Sequence, residues 1–452
     1  MDNRYEELKT YLQPGRRVHL VGIGGVSMRP LGLVLQGMGM VVTGSDMSVT
    51  ASTQELVEKG IPVHIGHQEE NICGAECVIR TAAVHNDNPE IAAARSAGIP
   101  VFERAQAWGV IMRAYENAIC VAGTHGKTTT TSMLAHILMA ADCDPTVMIG
   151  GYLPLLQAGH RVGNGDTILL ESCEYCDSFL NFAPTLAVIL NIEADHLDYF
   201  KDLEDVEKSF REFACLSTKG ILANGDDPHV TQTLVGVEYV SFGFKDNNRV
   251  KAANICADWR HFDVVCDDEF YCHIDLQVLG KHNAMNALAA AGSAWLLGIP
   301  GEAVTIGLST FSGADRRLQY KGKYNGADIY DDYAHHPDEL AATIEAVKTM
   351  GYNRMIVAFQ PHTYTRTKAL FSEFVEQLCK PDLVVLGEIY AAREQNLLGI
   401  SSMDLQMNIP GSVYCGTLPE ITEFLRNTIC AGDVVLTIGA GDIFRVADAL
   451  TK

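Results

Sequence analysis

The run Cys120-Val121-Ala122-Gly123-Thr124-His125-Gly126-Lys127-Thr128-Thr129-Thr130-Thr131 narrows what this chain can be more than any other stretch. Ala118 to Ala122 is apolar and strand-like, Gly123 and Gly126 permit a tight turn, and Met133, Leu134, Ile137, Leu138 and Ala141 recur at helical spacing. A strand, a glycine turn and a helix start in that order make a cradle for phosphate. The first N–H groups of the helix lack partners, the glycines let the backbone come close, and the helix dipole favours an anion. Lys127 is placed to meet the outer phosphates, and the Thr128 hydroxyl is a candidate magnesium ligand. The full phosphate-loop pattern has two glycines with four residues between them; Val121 stands where the first would be, so this is a shortened Gly-x-x-Gly-Lys-Thr form.

At 452 residues the chain exceeds one core, and about 150 residues per domain predicts three. A net charge of -22 speaks against a nucleic-acid partner, because such surfaces neutralise phosphates with lysine and arginine. Phosphate-bearing ligands must then be held by local devices. No apolar run is long enough to span a bilayer, and the start Met1-Asp2-Asn3-Arg4 lacks the layout of a secretion signal, so a soluble cytoplasmic protein with no membrane insertion is expected. The 13 cysteines read as reduced, mostly buried thiols; the close pairs Cys73/Cys77 and Cys173/Cys176 lack a second pair at zinc-like spacing.

In chain order, Val18 to Gly22 reads as a strand running into Gly22-x-Gly24-Gly25-Val26-Ser27 and an apolar helix. A second strand, Met40 to Thr43, leads to Gly44-Ser45-Asp46, an acidic residue just past the strand end, where a Rossmann fold holds a ribose. Ser27 stands where a third glycine would complete the dinucleotide fingerprint, so a diphosphate on the turn fits better than a nicotinamide dinucleotide. Alternation of strands and helices to Ala114 predicts a parallel sheet in a first domain, 1–114. In a second domain, 115–313, the strand at Thr167 ends on Glu171, and Leu186 to Leu190 delivers Asn191-Ile192-Glu193-Ala194-Asp195-His196-Leu197-Asp198. Glu171, Thr128 and His196 on one sheet edge suggest a metal or phosphate site. An antiparallel hairpin is expected at 261–276, hinged at Asp267-Asp268. Asn283 and Asn286 open an alanine-rich helix three residues apart, suited to reading a purine or to capping. A third domain, 314–452, begins with the strand Ala327 to Asp331, then Asp332, Tyr333 and His335 in a turn, with His336 as N-cap and Pro337 at the first helical position.

Six motifs in order, Gly22-Ile23-Gly24-Gly25-Val26, Gly123 to Thr128, Asn191 to His196, Gly280-Lys281-His282-Asn283-x-x-Asn286, Asp331 to Pro337, and Phe359-Gln360-Pro361-His362, resemble those of the Mur ligases over the whole chain. The resemblance implies three α/β domains: an N-terminal Rossmann-like domain, a central phosphate-loop ATPase domain with a small antiparallel hairpin, and a C-terminal Rossmann-like domain. It implies an ATP-dependent amide ligase that joins L-alanine to the lactyl carboxylate of UDP-N-acetylmuramate through an acyl phosphate, with magnesium (Mg2+) as cofactor. A peptide acceptor on the same nucleotide-sugar, or a nucleotide-binding regulator without catalysis, are the alternatives, and a monomer or homodimer is expected. By the same resemblance Gly22, Gly24, Gly25, Val26, Ser45 and Asp46 hold the nucleotide-sugar. Gly123, Thr124, His125, Gly126, Lys127, Thr128, Thr129, His282, Asn283, Asn286, Arg317 and Asp332 serve ATP. Thr128, Glu171 and His196 serve the metal; His335, His362 and Arg366 serve the amino acid; and Lys127, His335, Arg317 and Asp332 are the catalytic set. Departures from the family pattern are Ser27, Arg29 and Pro30 after the first turn, Thr363 in place of an arginine, and Cys173 and Cys176 where acidic residues are usual.

Overall fold

The computed structural model describes residues 3–452 except 82, 198 and 393. Asp198, the last residue of the acidic run after the second-domain strand, therefore lies outside the described residues.

In the first sheet, β1 (Arg17–Val21), β2 (Val41–Asp46), β3 (Val63–Ile65), β4 (Cys77–Arg80) and β5 (Val101–Glu103) lie in the order β3-β2-β1-β4-β5. All four pairings are parallel, as alternating strands and helices predict. β2 runs through Asp46, three residues beyond the expected end, because Gly44, Ser45 and Asp46 pair with Val63, His64 and Ile65. Asp46 is thus part of the strand and not past its end.

The second sheet has ten strands: β6 (Asn117–Ala122), β7 (Thr146–Leu153), β8 (Ala158–Arg161), β9 (Thr167–Glu171), β10 (Leu186–Ile189), β11 (Gly220–Asn224), β12 (Val240–Gly243), β13 (Val250–Ala253), β14 (His261–Cys266) and β15 (Glu269–Asp275). Their order is β15-β14-β13-β12-β11-β10-β6-β9-β7-β8. β6, which carries the phosphate loop, has β10 and β9 as parallel neighbours, so three strands release their loops at one carboxyl edge. In an open α/β sheet a ligand binds at such an edge, where neighbouring chains leave in different directions. The helix Lys127–Ala140 is buried from Thr128 through Leu138, which explains why its apolar residues do not keep to one stripe. The β7/β8 hairpin has no clear period in sequence, since a register shift lies between Met148 and Leu153.

The third sheet orders β16 (Gln319–Tyr324), β17 (Ala327–Asp332), β18 (Arg354–Phe359), β19 (Leu383–Leu386), β20 (Val413–Tyr414) and β21 (Asp433–Ile438) as β16-β17-β21-β18-β19-β20. β16 is an antiparallel edge and the rest are parallel. His336 caps the helix Pro337–Lys348, with Pro337 at its first position as expected.

By compactness the chain forms two units, Met1–Ala253 with Asp263–His273 and Asn286–Thr310, and Asn254–Phe262 with Ile274–Met285 and Phe311–Lys452. The first sheet and the second, apart from the first two residues of β14 and the last two of β15, thus share one compact unit. Within it the helix Arg104–Met112 packs on the short helix Tyr175–Asn181, and the Arg104 guanidinium donates to Ser27 Oγ in the first glycine turn.

Candidate active site

At the end of β6 the chain turns through Gly123 (φ +151°) and Gly126 (φ +83°). A side chain at Gly123 would lie 2.8 Å from Leu190 Cβ, and one at Gly126 would lie 2.5 Å from Asn286 Oδ1, so both backbone angle and space demand glycine. The loop is gripped from β10. Thr124 N–H donates to Asn191 O (3.1 Å), His125 N–H to Asn191 Oδ1 (2.7 Å), and the Asn191 amide returns a bond to His125 O (3.1 Å). Glu193 N–H donates to Thr124 Oγ1 (2.9 Å), and its carboxylate lies 3.0 Å from His125 Nε2. Asn191 and Glu193 are the residues that sequence reasoning missed: they stood in a recognised motif, but their partners are far away in the chain.

Lys127 Nζ donates back to Gly123 O and Thr124 O and to both oxygens of Glu174, at 3.0 and 3.3 Å. Glu174 is buried at 2% exposure. Burial works against the lysine's charge, but Glu174 outweighs it and moves the ammonium pKa upward, so Lys127 is a cation here. Thr128 Oγ1 donates to Glu171 Oε1 (2.9 Å), whose other oxygen accepts the N–H of Gly150 (2.6 Å). His196 Nε2 stands 4.0 Å from Glu174 Oε1, and its ring lies 4.8 Å from that of Tyr175. Its backbone carbonyl closes the following turn, accepting from Tyr199 and Phe200, so the residue both caps and faces the carboxylates. Beside them burial, reinforced by Glu174, pushes the Cys173 thiol up to about 12. The donor chemistry fits magnesium: a hydroxyl and two carboxylates supply hard oxygens next to a phosphate cradle, and His196 stands by.

The helix Lys281–Leu296 supplies the amides. Asn286 Oδ1 accepts from Thr130 Oγ1 (3.2 Å), tying this helix to the loop helix. Asn283 lies in the first turn of this helix, and its amide donates back to Leu279 O (2.7 Å). Burial, helped by the Arg317 charge, lowers the His282 pKa to about 4 and keeps the ring neutral near pH 7.

Around the first glycine turn, Asp46 Oδ2 accepts the N–H of Gly24 (2.8 Å), and Val26 is 60% exposed. Ser45 does not reach a ligand surface: it is fully buried, and its hydroxyl donates to Glu90 Oε2 (2.6 Å). The expectation of Ser45 as a nucleotide-sugar contact is corrected accordingly; pairing of β2 with β3 turns this side chain into a buried polar network. That network also holds Asn71, His67 and His19, the last with Nε2 3.7 Å from Glu90. Burial works against the Glu90 charge, yet His19, Ser45 and Asn71 overcome it and hold the carboxyl at about 2.

In the third sheet Asp332 ends β17, accepting Leu318 N–H (2.6 Å) and Ala334 N–H (2.7 Å). Burial raises its pKa to about 6 against the pull of Arg317 and these amides. Of the paired arginines, Arg316 is structural: it bonds Asp331 (2.9 Å) and the carbonyls of Gly439 and Gly441. Arg317 stacks over Tyr333 at 5.3 Å and lies 3.6 Å from Glu339. His335 contacts Tyr333 O (3.0 Å), and its ring meets the His362 ring edge-on at 5.9 Å. His362 lies 3.3 Å from Arg366 Nη1 and stacks on Tyr390, which brings the three residues expected at the amino acid into one cluster.

Parallel sheets whose carboxyl edges carry glycine turns, one with a lysine held by loop carbonyls and a buried carboxylate, define a nucleotide-binding α/β protein built on a phosphate loop. Family models match it in three consecutive parts: residues 17–116 the Mur ligase family, catalytic domain, residues 121–294 the Mur ligase middle domain, and residues 316–441 the Mur ligase, glutamate ligase domain. The UDP-N-acetylmuramate--L-alanine ligase of Agathobacter rectalis is 43% identical over 447 residues, 96% of this chain and 97% of the relative. That of Caldicellulosiruptor saccharolyticus is 44% identical over 435 residues, 94% and 96%. Among solved structures, the UDP-N-acetylmuramate-alanine ligase of Thermotoga maritima superposes with a TM-score of 0.80 at 28% identity, covering 96% of this chain and 98% of that one. A murein peptide ligase of Psychrobacter arcticus shares the fold with a TM-score of 0.72 at 22% identity, covering 96% and 98%. The chain belongs to the Mur ligase family.

Proposed function

We propose that this protein is an ATP-dependent ligase that forms the amide between L-alanine and the lactyl carboxylate of UDP-N-acetylmuramate, a step of peptidoglycan precursor synthesis. The observation that carries the chemistry is Lys127 held between the loop carbonyls and Glu174 at the edge where Thr128 and Glu171 also meet. Full-length identity above 40% to ligases of that name supports the choice of substrates.

The lactyl carboxylate attacks the γ-phosphate of ATP to give an acyl phosphate and ADP; the amine of alanine then attacks the acyl carbon and phosphate leaves. Two anions must approach each other in the first step. Lys127, turned from Glu174 onto the phosphates, offsets that repulsion and follows the charge on the transferred group. Thr128, Glu171 and His196, with Glu174 beside them, would hold magnesium, which supplies charge neutralisation to the phosphates. Gly123 to Thr129 cradle the triphosphate, and His282, Asn283, Asn286, Arg317 and Asp332 also serve ATP. Gly22, Gly24, Gly25, Val26 and Asp46 hold the nucleotide-sugar. His335, His362 and Arg366 hold the amino acid, with His335 accepting the proton that the attacking amine loses. The functional domains are 1–114, 115–313 and 314–452, a division supported by the limits of the family matches.

The test is phosphate release from ATP with magnesium and UDP-N-acetylmuramate, with L-alanine added, withheld or replaced by other amino acids and a murein tripeptide. Release that needs both the nucleotide-sugar and L-alanine is the expected outcome. Release with the tripeptide alone would transfer the protein to the peptide ligases, and none with any amine would leave a nucleotide-binding regulator.

A further inference from the structure

The segment that follows β9 carries two cysteines on either side of the carboxylate that holds the catalytic lysine, Cys173-Glu174-Tyr175-Cys176. Glu174 is helical (φ -72°, ψ -23°), and in the short helix Tyr175–Asn181 the departures from helical angles fall at Cys176 and Asp177. Two helical central residues make 173–176 a tight turn, whose ends lie under about 7 Å apart. A disulfide spans Cα separations of about 4.4–6.8 Å. The turn is anchored on both sides: Ser178 Oγ donates to Cys173 O (2.8 Å), and Asp177 accepts from Tyr199 OH (2.6 Å) and from Ser209. Cys176 is exposed and Cys173 half-buried beside Lys127, so one thiol meets solvent while the other meets the active site.

We infer that Cys173 and Cys176 form a reversible disulfide under oxidation and that this disulfide switches off ATP binding at the phosphate loop. With hydrogen peroxide as oxidant, the Cys176 sulfur takes one oxygen to become a sulfenic acid and water leaves. The Cys173 sulfur then displaces hydroxide from that sulfur, which departs with the Cys173 proton as a second water. Two thiols and one peroxide thus give one disulfide and two waters. The ring encloses Glu174 and removes the turn's freedom to let this carboxylate swing away. Lys127 stays clamped on Glu174 (3.0 Å) and is withheld from phosphate. A dithiol that reduces again under a thiol reductant behaves as a sensor and not as a structural bridge.

This inference rests on the reading of Lys127 as a phosphate ligand. The experiment treats the full-length protein with hydrogen peroxide, then measures the mass of the peptide containing residues 173–176 and the affinity for magnesium-ATP by calorimetry, before and after dithiothreitol. A loss of two mass units with at least tenfold weaker ATP binding, both reversed by dithiothreitol, is expected. Cys176→Ser should bind ATP as the untreated protein does and should not respond to peroxide. An unshifted peptide, a shifted one with unchanged ATP affinity, or an equal peroxide response in Cys176→Ser would each overturn the switch. If the reduced protein itself fails to bind ATP, the reading of the loop falls together with the switch, whereas a missing mass shift in a protein that binds ATP removes the switch alone.

Discussion

Glu174 is the reason Lys127 keeps its charge in a place with little water: the carboxylate is 2% exposed, and the ammonium is bonded to it and to two loop carbonyls. Removing one member strands the other, which typically costs about 3–5 kcal/mol in a fully buried pair and less where, as here, the lysine keeps a little solvent contact. Lys127→Ala is therefore expected to stay folded, lose about 2–4 kcal/mol of stability, and lose roughly a thousandfold or more in ligation rate. Adding Glu174→Gln should return most of the stability and none of the activity; urea denaturation and phosphate release read the two effects separately, and recovery of both would mean the lysine only balances a charge. Glu90 makes a different case. Its folded pKa of about 2 lies below the ordinary 4.5, so its charge stabilises the fold above about pH 4.5, and that gain drains away as pH falls towards 2. The shift corresponds to about 3 kcal/mol. Glu90→Gln should cost about that much at pH 7 and flatten the acid limb of stability, measured by denaturation at pH 3, 5 and 7; an acid limb parallel to that of the unmodified protein would assign it to other carboxylates.

At the scale of elements, what can be read from sequence is what depends on neighbours in the chain. The loop strand, the turn glycines and the helix after Lys127 stand where residue pattern places them, and so does the helix start at His336-Pro337. The hairpin hinged at Asp267-Asp268 is likewise found between β14 and β15. Relations made by packing were hidden. Ser45 looks like a loop residue until β3 pairs with β2 and buries it, and Asn191 looks like a turn residue until it bonds His125 across 66 positions. Gly307 is similar: in sequence it is a weak point in the helix Gly301–Ser309, whereas in the fold a Cβ there would lie 2.7 Å from the backbone of Ile137 in the loop helix. Gly307→Ala gains helix propensity of about 1 kcal/mol but forces two backbones apart. The expected net effect is a loss of about 1–3 kcal/mol and a weaker ATP affinity, since the displaced helix is the one that starts with Lys127. A more stable variant with unchanged affinity would show that the helices yield without moving the loop.

For the whole molecule the relevant quantity is charge. The protein carries a formal -22, and the loop itself does not reverse this locally, since Lys127 stands among Glu171, Glu174, Glu193 and Asp195 on the same carboxyl edges. Both proposed phosphate-bearing substrates are anions, so their encounter is opposed at long range and favoured only at contact. Electrostatic range shrinks from about 30 Å at 0.01 M salt to about 8 Å at 0.15 M, while bonds inside the loop are much less screened. Raising salt over that interval at fixed free magnesium should thus increase kcat/KM for ATP, by roughly two- to fivefold, with kcat nearly constant. The opposite slope belongs to proteins that draw anions in with a basic face. If kcat/KM instead falls steadily with salt, cations near the loop outweigh the net charge, and the capture of ATP is steered by a local field that the overall composition conceals.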